Sequence, residues 1–99
     1  MSSQDAFITL LNASIATAIK HKQTALSLIE RAETAQNKQA RIAAEAAAYR
    51  ADKSVSLFKQ ALEFQRETKR SSDLHQTGLE HLDACERQLN RATDLFFLP

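Results

Sequence analysis

The sequence predicts an all-α protein, either a long antiparallel helical hairpin or a three-helix up-down-up bundle. Two observations carry this. The chain has one glycine, Gly78, and one proline, Pro99, far fewer turn formers than strand-and-turn architectures need. Apolar residues recur at three- and four-residue steps along most of its length, which is the period of a buried helix face. At 99 residues without an internal repeat or low-complexity linker, the chain fits a single domain over 1–99.

The first helix is predicted over 3–34. Ser2 or Ser3 can cap it, and Asp5 suits the positive N-terminal end. Ile8, Leu11, Ile15, Ala18, Ile19, Leu26, Ile29 and Ala32 form its apolar stripe. Lys22 interrupts that stripe, with its stem along the apolar surface and its charge in water. The stripe fades at "TAQN", residues 34–37, which is the expected first connection.

The second helix is predicted over 38–69. Ala44, Ala48, Ala51, Val55, Phe58 and Leu62 fall on one face, widened by Leu57, Ala61 and Phe64. Its first half, "RIAAEAAAYRA", is apolar almost only through alanine methyl groups. Small facing ridges let helix axes approach to about 8 Å, so another helix, of this chain or of a partner, is expected to come close there. Toward Phe58 and Leu62 the helices must spread, giving a tapered groove.

The third helix is predicted over 73–96. Ser71 or Ser72 can cap it after "KRSSD"; alternatively it starts after "HQTGLE", where Thr77 and Glu80 have capping-box spacing. Gly78, Leu82, Cys85, Leu89, Ala92 and Phe96 then alternate by fours and threes, a coiled-coil-like seam. Asp83 and Arg87 are a favourable i,i+4 pair. In the tail "DLFFLP", Leu95, Phe96, Phe97 and Leu98 cannot all face one side. Some of them should cover a bundle end or meet a partner.

Composition narrows the function classes. The net charge is +1, from 13 basic and 12 acidic residues, so bulk electrostatic steering should be weak. Basic runs stand at "KHK" (20–22) and "RETKR" (66–70), but without stacking aromatics or a recognition-helix motif. The second run suits the negative C-terminal end of a helix, and nucleic acid is an unlikely partner. No stretch reaches the roughly 18 apolar residues of a membrane span. The start, "MSSQDAFITLLNAS", has no basic segment before its apolar run, unlike a secretory signal. With one cysteine, Cys85, no internal disulfide forms, which points to a reducing, cytoplasmic setting.

No catalytic, metal or cofactor residue is assigned. His81 precedes Cys85 by four, so the two share a helix side. Cys85 nevertheless falls in the middle of the apolar seam and reads as a small core residue. His75 and His81 are six apart and do not share a face. Carboxylates from Glu30 to Glu86 are scattered among lysines and arginines rather than converging as acid–base catalysis needs. One glycine excludes the glycine-rich phosphate loops. Neither an enzyme nor a small-molecule substrate is expected.

"SLFKQALEF" (56–64) and "ACERQLNRATDL" (84–95) resemble the second and third helices of MIT domains, and "ALSLIERAE" (25–33) loosely resembles the first. The likeness covers about a third of the chain. It implies a three-helix module that binds helical or extended peptide motifs, and it carries no binding residue over.

The expected function is a non-catalytic protein–protein interaction module, an adaptor or regulator. It would bind a partner helix through the alanine-rich groove and the apolar tail. The partner-binding residues expected are Ala44, Ala48, Ala51, Val55, Phe58, Leu95, Phe96 and Phe97. One alternative is a self-assembling homo-oligomeric structural protein whose ridge packs on its symmetry mate. Another is a small nucleic-acid-associated regulator using the two basic runs.

Overall fold

The computed structural model describes residues 3–97. Helix α1 spans Ser3–Thr34, α2 Lys38–Glu63 and α3 Thr68–Phe97, with no strand among the described residues. They form an up-down-up three-helix bundle of 52 × 20 × 17 Å. Helix α2 is the middle member: α1 and α3 both run close along it, and they approach each other far less closely.

The core grades from large to small along the long axis. At one end Leu11, Phe58 and Leu82 pack with Phe7, Ile15 and Leu74. Midway, Ala25, Ala47 and Ala51 meet Cys85 and Leu89. At the far end Ala43, Ala44 and Ala92 are covered by Leu28, Ile29 and Leu95. Alanines on α2 let two neighbours approach it at once, and this is why α2 has so few large side chains in its first half.

Along α1 the most buried positions are Leu11, Ser14, Ala18, Ala25 and Ala32. Ile19 and Leu26, expected in the buried stripe, are 42% and 50% exposed. The apolar arc of α1 is wider than α2 and α3 can cover, and small residues take the line of closest approach. Asp5 lies in the first turn; of the two capping candidates, Ser3 is the first residue of α1 and Ser2 lies outside the described residues.

Helix α1 ends as a Schellman turn. Asn37 N–H donates to the Ala32 carbonyl at 2.8 Å, Gln36 N–H donates to the Glu33 carbonyl at 3.1 Å, and Gln36 has φ 55°. Asn37 then caps α2: its Oδ1 accepts from Ala40 N–H at 3.1 Å. Its Nδ2 donates to the Leu95 carbonyl at 3.2 Å, tying this turn to the end of α3.

The second connection differs from the sequence expectation. Helix α2 stops at Glu63, not near residue 69, and α3 starts at Thr68, before 73. No glycine or proline marks the break. Instead, Ser71 does what the sequence conceals: it is fully buried, and its Oγ donates to the Ala61 carbonyl at 2.7 Å. That bond satisfies an end carbonyl of α2 from inside α3, so Ser71 is an inter-helix tie and not the cap of α3. Thr77 is not a cap either, since it lies within α3 with its hydroxyl donating to the Asp73 carbonyl. The run "RETKR" accordingly falls in the connection and the first turn of α3, where its charge opposes the helix dipole. Local partners offset this: Lys69 pairs with Asp73, Arg70 pairs with Glu67, and the Arg70 guanidinium lies 3.6 Å from the centre of the Phe64 ring.

Candidate interaction surface

The seam predicted on α3 is buried from Gly78 through Leu82, Cys85 and Leu89 to Ala92. Gly78 faces the ring of Phe58, which is itself fully buried. A Cβ added at Gly78 would lie 2.6 Å from Phe58 Cε1. The glycine therefore serves a close approach between α2 and α3. Beside it Ser54 Oγ donates to the Gly78 carbonyl at 3.1 Å, so both backbone and ring seat on the same spot.

The alanine-rich face expected to take a partner helix is taken up by the chain's own helices. Ala44, Ala51 and Phe58 have no exposed surface. Ala48 and Val55 are half-buried. At the far end Leu95 packs on Ala43, Ala44 and Ala92. Phe96 is half-buried with the Arg31 guanidinium 5.0 Å from its ring centre. Phe97 projects outward, 77% exposed, and Leu98 lies outside the described residues. Two members of the tail thus cover the bundle end and the third does not.

Ala48 and Val55 lie on the flank of α2 that meets α1. The register is fixed by Lys22 Nζ, 2.7 Å from Asp52 Oδ1. In an antiparallel pair this puts Ile19 level with Val55, and Leu26 level with Ala48, on either side of the ion pair. These four positions share one outer flank of the α1–α2 seam, turned away from α3, which is the α1–α2 trough. Ile19 and Leu26 are 42% and 50% exposed, Ala48 and Val55 are half-buried, and the Lys22–Asp52 salt bridge lies between the two pairs. The sequence places Ile19 and Leu26 in one apolar stripe with Leu11 and Ala18. Other exposed apolar side chains, Leu10, Ile42 and Tyr49, fall on different flanks, and Tyr49 lies 5.5 Å from Lys53 Nζ.

Polar groups are drawn into holding helices together. In the "KHK" run, His21 Nε2 is 3.2 Å from Glu86 and Lys22 bridges to Asp52. His81 Nδ1 accepts from Arg50 Nη1 at 2.9 Å. Cys85 is fully buried, and burial together with the neighbouring Glu86 carboxylate pushes its thiol up to about 11, the opposite of an activated thiolate. Among the described residues no group of three or more His, Cys, Asp or Glu is placed to hold a metal ion, and no helix is long and apolar enough to cross a membrane. No protein-family model matches the chain, and no match was found among curated proteins or solved structures.

Proposed function

We propose that this chain is a non-catalytic interaction module, an adaptor or regulator, that receives a partner's amphipathic helix along the α1–α2 trough. The observation that carries this is the exposure of Ile19 and Leu26, 42% and 50%, at helical spacing opposite the half-open Ala48 and Val55. A small residue facing two large ones is a depression that one apolar stripe of a helix fills, the helix-in-groove mode. The likeness to MIT-type modules, which bind helical or extended peptide motifs, supports a peptide-binding module. The single thiol, Cys85, favours a cytoplasmic setting.

The test is a photo-crosslinking residue placed at Ala48, compared with one at the exposed Ser56 on another flank of α2, in native lysate. One partner should crosslink from position 48 and not from 56. It should be lost in Leu26→Glu, whose fold is checked by circular dichroism. Equal crosslinking from both positions, or survival in Leu26→Glu, overturns the reading. If the crosslinked species has twice the chain's mass, the partner is a second copy.

A further inference from the structure

All three histidines of the chain stand at contacts between helices, and two of them, both on α3, stand where no acceptor or carboxylate meets the ring. The ring of His75 sits at the large-residue end of the core. It meets Phe7 of α1 edge-on, 5.5 Å between centres, and Phe58 of α2 at 5.7 Å. Its Nε2 is buried without a hydrogen-bond partner, so no acceptor stands ready for the proton of an imidazolium. His81 Nδ1 accepts from the Arg50 guanidinium. A proton added there removes the acceptor and sets two cations in contact.

We propose that His75 and His81 form an acid-sensitive latch, so that protonating them loosens α3 from the α1–α2 hairpin. The surroundings leave an added charge without compensation. Facing His75 are Phe7 on α1 and Phe58 on α2. One turn away on α3 stand Ser71, Ser72, Gly78 and Leu79, and none carries charge. Arg66 lines the cleft beside Phe7, and no carboxylate lines that cleft. Facing His81 is Arg50, with Lys53 one turn on. On α3 its neighbours a turn away are Thr77, Gly78, Ala84 and Cys85, of which only the thiol titrates, at about 11. The third histidine, His21, lies 3.2 Å from Glu86 in a pair 25% and 51% exposed, where ion pairs contribute little.

The sign follows from burial, which lowers the His75 pKa below its ordinary 6.5. Above 6.5 the ring is neutral in both folded and unfolded chains. Below it the unfolded chain takes up the proton first, so stability is lost as pH falls toward the folded value. Each unit of difference between the two values lowers the folded-to-unfolded ratio about tenfold in acid.

Cys85 reports on the latch, because it is the chain's one thiol and is sealed between α2 and α3. Its labelling by an aromatic disulfide active in acid is measured from about pH 7.5 to about pH 5, across the range where histidines titrate. Rates are divided by those of the denatured chain at the same pH. The relative rate should rise as the pH falls through the histidine range. It should stay flat in the pair His75→Leu with His81→Gln, whose amide carbonyl still accepts from Arg50. His21→Gln should leave the rise intact. His81→Gln alone should reduce it, which keeps the test open if the double variant does not fold. The ring titration of His75 by NMR should have its midpoint below 6.5. A flat wild-type profile, an unchanged rise in His81→Gln, or a His75 midpoint at or above the ordinary value overturns the proposal. None of these outcomes depends on the trough or its partner.

Discussion

At the scale of single residues, the bundle turns on one missing methyl group. Gly78 costs helix propensity, about 1 kcal/mol against alanine, yet it lies mid-helix where that cost is felt. What it admits is the Phe58 ring, within 2.6 Å of where a Cβ would stand. Restoring the methyl group forces the ring off its seat, and overpacking costs about 1–3 kcal/mol. We therefore expect Gly78→Ala to destabilise the fold in urea by up to about 2 kcal/mol, the difference between these two effects. Adding Phe58→Leu should make the alanine less harmful than it is alone, because the two sites share one space. If Gly78→Ala stabilises, the close approach is not real. The sequence shows this glycine only as an irregularity in an otherwise regular seam. It gives no hint of the ring opposite, because nothing in local spacing says which α2 residue meets it. The hydroxyls are illegible for the same reason. Ser71 has the composition of a cap, and only the third dimension shows its bond to Ala61.

At the scale of elements, the three helices and the first connection can be read from the chain, and the second connection cannot. The turn at 35–37 carries its own chemistry: an asparagine suited to capping and a fading stripe. The turn at 64–67 carries none, since apolar spacing runs on through Phe64 and the break is imposed by packing. The alanine face of α2 was legible as a place of close approach. That both neighbours would be this chain's own helices was not, because methyl groups do not specify whose side chains they meet. This gives α2 a strict size limit on both flanks. Ala47 is fully buried beside Ala25 and Cys85, so Ala47→Leu has no side to expand into. We expect it to lower stability by about 1–3 kcal/mol, read from the urea midpoint at constant slope. The same change at Ala48, which opens on the trough, should be much milder. Equal effects at both positions would mean that α2 is not tightly held from both sides.

At the scale of the whole molecule, the candidate surface was the least legible part. The sequence pointed to eight residues for a partner. Three of them, Ala44, Ala51 and Phe58, are sealed inside, while Ile19 and Leu26, which share the apolar stripe of α1, are half-exposed. Periodicity identifies an apolar arc, but the edge of that arc is set by how much of it neighbouring helices can reach. A bundle in which both outer helices lean on the middle one has a further consequence, for the order in which it assembles. Every extensive contact joins helices adjacent in the chain, so no long loop must close before packing begins. Either hairpin, α1–α2 or α2–α3, can form first on the same alanine ridge, which gives two routes to one native state. We expect fast, low-contact-order folding with fractional φ-values spread along α2 and lower ones on α1 and α3. A nucleus polarised into a single hairpin would show that one route dominates.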